Sequence, residues 1–247
     1  MRVNYKFQRL FIQQPLSLNR EIEIEGVQVS YLVHVLRMKE GAQILLFNGQ
    51  DGEWLAKITA VKKKFVVVQL IHQTRLQTTC SDLIYCFAPL KHARLDYMVQ
   101  KVVEMGVSVL QPVITHHTQV SRINMARIKA NIIEAAEQCG ILSLPECLPA
   151  VSLKTLLAHW DKTHSLFFCD ESHEIQNPLP LLKKHGTIPL GVLIGPEGGF
   201  SEEEQVLLRK HSFVISISLG PRILRADTAA VAALALINTT IEAWSID

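Results

Sequence analysis

Leu190-Gly191-Val192-Leu193-Ile194-Gly195-Pro196-Glu197-Gly198-Gly199-Phe200-Ser201-Glu202-Glu203-Glu204 is the stretch on which the reading of this chain turns. Its first five residues are apolar enough for a strand covered on both faces, and Gly195-Pro196 ends the run. Ser201 then stands three residues before Glu204, the spacing of a capping box, so a helix begins at Glu202. A strand, a glycine turn and a helix in that order are one unit of a parallel α/β sheet. In open sheets of this kind ligands bind beyond the carboxyl ends of the strands, where Gly195 to Phe200 falls.

Outward from this unit the same alternation continues. Strands are predicted at Leu83–Ala88, Val107–Ile114, Ser165–Cys169 and Phe213–Leu219, and helices at His92–Met105, Asn124–Cys139, Leu153–Trp160, Pro178–His185, Glu202–His211 and Thr228–Trp244. Such repetition implies a parallel sheet with helices on both faces. Before residue 74 the pattern is different. Glu21 to Glu25 alternates strictly, Gln43 to Phe47 and Trp54 to Ala60 are rich in apolar residues, and Phe65 to Leu70 is nearly continuous. With one short helix near Ser30 to Met38 and hairpin punctuation at Asn48-Gly49-Gln50-Asp51-Gly52, this portion reads as a small β-barrel. The apolar pattern lapses between His72 and Thr79, which places the boundary between residues 1–73 and 74–247.

Glycines at 198 and 199 let a ligand approach the backbone without a Cβ in the way, although a plain strand-to-helix turn uses glycine too. The run has no G-K-[ST], and Glu197 with three more acids at the helix start would repel a polyphosphate. A nucleoside cofactor carrying a cationic sulfonium, S-adenosyl-L-methionine, suits that electrostatics better than ATP or NAD. A second run, Leu219-Gly220-Pro221-Arg222-Ile223-Leu224-Arg225, also follows a predicted strand. Its apolar side chains beside two guanidinium groups match a nucleobase with a neighbouring phosphate, or else a charged helix edge. The helix after it is apolar nearly all round and is expected to be buried, in part at a subunit interface.

Composition limits the alternatives. The 247 residues are 48% hydrophobic and 19% charged, the profile of a globular protein with a large core. Five cysteines, at 80, 86, 139, 147 and 169, form no C-x-x-C pair, which fits a reduced, cytoplasmic compartment. His116-His117 has no thiol or carboxylate at ligand spacing, so no metal is expected. Neither an apolar leader at Met1 to Lys6 nor any stretch near the roughly 18 apolar residues of a membrane span is seen, so no secretion or membrane insertion is expected. The net charge of +2 is unevenly divided. Residues 1–73 carry ten Lys/Arg against six Asp/Glu, and the remainder fifteen against seventeen. A basic first portion points to a polyanionic partner.

Taken together, I-G-P-E-G-G-F-S, L-G-x-R-I-L-R and the acid-Thr-Ala helix start at Asp227 resemble the SPOUT superfamily. More narrowly, the chain resembles the RsmE-type methyltransferases, which methylate N3 of a uridine in small-subunit (16S) ribosomal RNA. Further matches run the whole length: Arg9-Leu10-Phe11, His34-Val35-Leu36-Arg37-Met38 with Gly41, Lys91, Gln100-Lys101, Glu104-Met105-Gly106-Val107, and Glu134-Ala135-Ala136-Glu137-Gln138-Cys139-Gly140. The family usually has Arg where this chain has Ile141, and Glu where it has Asp227; the first departure removes a contact to RNA or to a second subunit.

The resemblance implies a PUA-like barrel that binds RNA, an α/β domain tied in a trefoil knot, and a homodimer with its active site near the interface. The cofactor is expected on Leu193, Ile194, Gly195, Glu197, Gly198 and Gly199 of the first run and on Leu219, Gly220, Ile223 and Leu224 of the second. Arg225 is the expected catalytic residue, holding the target nucleotide and stabilising negative charge on the uracil oxygens. RNA is expected to dock on Arg9, Arg37, the Lys62-Lys63-Lys64 turn, Lys91, Lys101 and Arg222, although a lysine-rich turn is equally well a solvated one. Two other functions share these features: 2′-O-ribose methylation of rRNA, and an RNA-binding assembly module without catalysis. The first-portion barrel and the I-L-R-A-D-T-A run favour the base methylase.

Overall fold

The computed structural model describes residues 6–79, 81–120, 122–170, 177–185 and 189–241. The chain divides into two compact units, one of residues 1–79 with 136–144 and one of 80–135 with 145–247. The last strand of the first unit runs on to Arg75. The second segment of that unit, 136–144, had no signature in the sequence pattern.

In the first unit β1 (Arg9–Phe11), β2 (Glu21–Glu25), β3 (Gln43–Phe47), β4 (Glu53–Val61) and β5 (Phe65–Arg75) form one sheet in the order β1-β3-β4-β5-β2. β1 runs parallel to β3, and the other pairs are antiparallel. The expected small barrel takes the form of a curled mixed sheet, with β1 and β2 at opposite ends of the ladder. Three register shifts along β4 and β5 add the twist that curls it. Both edges meet one core, with Leu10 and Ile12 from one end packed in the same cluster as Ile22 and Ile24 from the other. Alternation in β2 does what its pattern requires: Ile22 and Ile24 are buried and the three glutamates are exposed. The short helix lies earlier than expected, as α1 (Val27–Ser30) followed by a π-helical turn at Tyr31–Val35.

Among the described residues the second unit forms a seven-stranded, wholly parallel sheet. It contains β6 (Leu83–Phe87), β7 (Val109–Ile114), β8 (Glu146–Cys147), β9 (Val151–Ser152), β10 (Ser165–Cys169), β11 (Leu190–Ile194) and β12 (Val214–Ile217). Their order is β12-β10-β11-β6-β7, with β8 and β9 both pairing with β7. The helices are α2 (His92–Glu104), α3 (Met125–Cys139), α4 (Leu153–His159), α5 (Leu179–His185), α6 (Glu202–Arg209) and α7 (Ala226–Thr240). Leu166 and Phe168 of β10 share one core with Leu156 of α4 and Leu208 of α6. Phe167 between them points to the other face and is equally buried. α7, which packs against α2 and α5, ends four residues before the expected Trp244, and residues from 242 onward lie outside those described. Among the described residues no helix is long and apolar enough to cross a membrane.

Candidate functional site

β12, β10 and β11 are neighbours and all parallel, so their carboxyl ends open side by side. The chain leaving them, as Cys169-Asp170, Gly195-Pro196-Glu197 with Gly199-Phe200, and Ser218 to Leu224, lines one pocket together with Gln205 of α6 and Ala226 and Ala229 of α7. The two glycine runs singled out in the sequence thus face a common cavity.

Local packing shows what the first run requires. The Gly199 amide donates to the Pro196 carbonyl at 2.9 Å and its φ is +67°, so the turn closes in the left-handed region that glycine favours. Phe200 folds back into the core, its ring edge-on to Phe168 at 5.0 Å, and covers Gly195 so closely that a Cβ there would lie 2.6 Å from the ring. Gly198 serves packing too: a Cβ would meet that of His117 at 3.2 Å. The His117 Nδ1 lies 3.1 Å from the Gly199 carbonyl, and the His116 amide donates to Glu204 Oε1 at 2.8 Å. The capping box forms as read: Ser201 Oγ accepts from the Glu204 amide at 3.3 Å, and Glu204 Oε2 from the Ser201 amide at 3.0 Å. In the second run Gly220 has a φ of +105° with open space where a Cβ would stand.

Charge is arranged asymmetrically. Asp170 is 3% exposed at the cavity wall and ion-paired at 2.6 Å with Arg209. Glu197, by contrast, is exposed and pairs with Arg94 of α2 at 3.3 Å. Burial, with the Asp170 charge beside it, pushes the Cys169 thiol up to about 12. Apolar walls from Phe168, Ile194, Leu219, Ile223 and Leu224 face the polar backbone of the glycine turns, and Arg222 is the one basic residue among the described lining residues. That donor set fits a nucleoside bearing a cation, as S-adenosylmethionine does, and offers little to a polyphosphate.

Of the expected cofactor residues, Ile194, Gly195, Glu197, Gly199, Leu219, Gly220, Ile223 and Leu224 line the pocket. Leu193 does not: it is fully buried in the core shared with α4 and α6. Gly198 is turned to His117 rather than to the cavity. Phe168, Asp170, Gln205 and Ser218 are lining residues that the motifs missed. Arg225 is exposed at the N-cap of α7, directly before the lining residue Ala226, and its side chain makes no hydrogen bond or ion pair among the described residues. Arg222 lines the cavity and is exposed.

The remaining expected RNA contacts separate into two kinds. Arg37, Lys62, Lys63, Lys64 and Lys91 are exposed, and Arg37 holds a left-handed φ of +55°. Lys101 is paired with Glu104 at 2.7 Å. Arg9 is a correction: its side chain is buried on Glu53 and on the carbonyls of Ala136, Glu137 and Ile141, leaving it nothing to offer RNA. Ile141 likewise packs in a small core with Phe47 and Leu142.

Comparison with known proteins gives a consistent answer. Residues 77–238 match the RNA methyltransferase domain family, and residues 24–71 match the RNA methyltransferase PUA domain. The ribosomal RNA small subunit methyltransferase E of Rickettsia conorii is 33% identical over 236 residues, covering 94% of this chain and 96% of that protein. Its counterpart in Bacillus subtilis is 27% identical, covering 95% and 97%. Among solved structures, a Legionella pneumophila chain described as a methyltransferase and holding S-adenosylmethionine superposes with a TM-score of 0.82 at 31% identity, covering 95% and 98%. The ribosomal RNA small subunit methyltransferase E of Neisseria gonorrhoeae, also bound to S-adenosylmethionine, gives 0.80 at 26%, covering 94% and 97%.

Proposed function

This chain belongs to the ribosomal RNA small subunit methyltransferase E family, and from that premise we propose that it methylates N3 of a uridine in the RNA of the small ribosomal subunit, with S-adenosylmethionine as donor. One observation carries the reading: the two glycine runs converge on a single pocket at the carboxyl ends of β10, β11 and β12, walled by apolar side chains and a buried carboxylate.

The sulfonium, when bound, supplies an electrophilic methyl carbon. Ile194, Leu219 and Leu224 keep water from it, and the turns at Gly199 and Gly220 hold their backbone in place for in-line approach. Uridine N3 is reached only in an exposed or flipped base, and its proton leaves before or during attack. Arg225, one residue before the pocket lining resumes at Ala226, holds the nucleotide and stabilises the charge that develops on the uracil oxygens. The first unit, whose sequence matches a PUA domain, supplies docking through Arg37 and the Lys62-Lys63-Lys64 turn, and the second supplies Lys91 and Arg222. The same reading includes functional domains at 1–73 and 74–247, a trefoil knot in the second, a homodimer completing the site, and action in the cytoplasm on rRNA within the small subunit.

Mapping modified nucleosides in rRNA from cells with and without this protein tests the proposal. We expect one N3-methyluridine to vanish and to return on complementation. A lost 2′-O-methyl group, or an unchanged map, would replace it.

A further inference from the structure

We propose that Asp170 is the residue by which the pocket distinguishes the charged methyl donor from its neutral product. The inference rests on the cofactor reading above.

Asp170 follows β10, the strand between β12 and β11, and lines the cavity. With 3% of its surface exposed, its carboxylate meets little competing water. Its partner is placed differently. The Arg209 side chain is 48% exposed, so solvent spreads the guanidinium charge while the carboxylate charge stays confined. The pair therefore presents its negative end to the cavity.

A polar chain holds that arrangement. Arg209 donates to Asp170 Oδ2 at 2.6 Å and to Gln205 Oε1 at 3.3 Å, and Gln205 Nε2 donates to the Phe200 carbonyl at 3.2 Å. The carboxylate is thereby tied to α6 and to the glycine loop, both of which border the pocket. Glu197, the other carboxylate among the described lining residues, is exposed and engaged by Arg94, so water weakens its field. Stability alone does not call for a buried ion pair at a cavity wall, because apolar replacements of such pairs are often neutral or stabilising.

Donor and product differ by one methyl group and one charge. Adenine, ribose and the amino-acid end are common to both, so a group reading those parts binds the two alike. A confined carboxylate binds the sulfonium better than the thioether. Transfer of the methyl group to RNA, with loss of the N3 proton, leaves a neutral sulfur and removes the attraction, which favours exchange of product for fresh donor.

Calorimetry of the whole protein with S-adenosylmethionine, S-adenosylhomocysteine and sinefungin, whose amine places a cation beside the sulfonium position, tests this. In Asp170→Asn the affinities for S-adenosylmethionine and sinefungin should fall about tenfold or more, as expected for a hydrogen bond or contact to a charged group, and that for S-adenosylhomocysteine should hold within about threefold. Asp170→Glu should retain the preference for cations. Equal loss of all three ligands, or loss of none, would overturn the proposal. Should Asp170→Asn lack a cooperative melting transition, Asp170→Ser carries the same comparison. If the unaltered protein bound none of the three, the cofactor reading itself would fall instead.

Discussion

Arg9 Nε donates to Glu53 Oε2 at 2.8 Å, and both side chains are almost wholly buried. The guanidinium lies 4.5 Å above the Phe47 ring, and three more of its hydrogens go to the carbonyls of residues 136, 137 and 141. Burial lowers the Arg9 pKa, while the Glu53 charge opposes that shift. Arg9 thus fastens the chain segment 136–144 to the sheet of the first unit. Removing Glu53 strands the buried Arg9 guanidinium, so Glu53→Ala should lose about 3–5 kcal/mol in urea unfolding. Arg9→Ala, by contrast, leaves the Glu53 carboxylate with Arg75 at 3.5 Å and with the Thr74 hydroxyl and should lose less. RNA affinity per folded molecule should not change. A variant that kept its stability and lost RNA binding would restore Arg9 to the docking surface.

Glu204 accepts two backbone amides, those of Ser201 and His116, whereas Ser201 Oγ accepts one. Ser201→Ala should cost about 1 kcal/mol, the usual value of an N-cap. Glu204→Ala should cost about 2 kcal/mol, since it also frees the segment after β7 from the cofactor loop. Thermal melts of the two variants give the ranking, and equal losses would show that the His116 bond contributes nothing.

The Ser201 cap was legible because a capping box is local chemistry: residues three apart satisfy each other wherever the helix lies. Long apolar strands such as Leu190–Ile194 were legible for the same reason, since burial on both faces needs no periodicity. β1 escaped notice because three residues carry no pattern, and because its first residue is an arginine whose buried partners lie 44 and more residues away. β8 and β9, two residues each, are defined only by pairing with β7. Within the site, motif matching found the loops but not the faces. Leu193 was assigned to the cofactor although strand alternation turns it toward α4 and α6, and Asp170 was missed because it stands alone after β10 without a glycine to mark it.

Cys169 is held protonated in the folded chain up to about pH 12 against an ordinary 9.0, and burial raises Tyr85 as well. A raised folded-state pKa means that the folded form binds its proton more tightly than the unfolded form. This contribution to stability is therefore complete below about pH 9 and is lost as pH rises toward 12. Cys169 should cost about 1.4 kcal/mol per pH unit in that window. Denaturant midpoints from pH 8 to 11 should fall accordingly, and Cys169→Ser should flatten the decline. Exposed Cys139 should take up a thiol reagent at pH 8 well before Cys86 or Cys169.

Arg225→Ala removes an exposed guanidinium that is otherwise unengaged among the described residues, so folding should be unaffected. If this group stabilises charge on the uracil, turnover at saturating RNA should drop about 100-fold or more, the usual loss for one such donor. RNA affinity should hold within a few fold. Near-normal turnover would remove Arg225 from the chemistry.

Lys62, Lys63 and Lys64 form an exposed turn between β4 and β5, closed by the Lys62 amide on the Phe65 carbonyl at 2.9 Å. Among the described residues none of the three has an ion-pair partner, so their charge is open to a phosphate backbone. Phosphate contacts release condensed counterions, and each one adds about 0.7–0.9 to the slope of log affinity against log salt. Replacing all three by serine should therefore lower that slope by about 2 if every lysine meets a phosphate, with little effect on stability because a solvated turn buries nothing. Turnover at saturating RNA should survive, since the turn and the pocket belong to different units. An unchanged slope would return the turn to solvent and leave Arg37, Lys91 and Arg222 to account for docking.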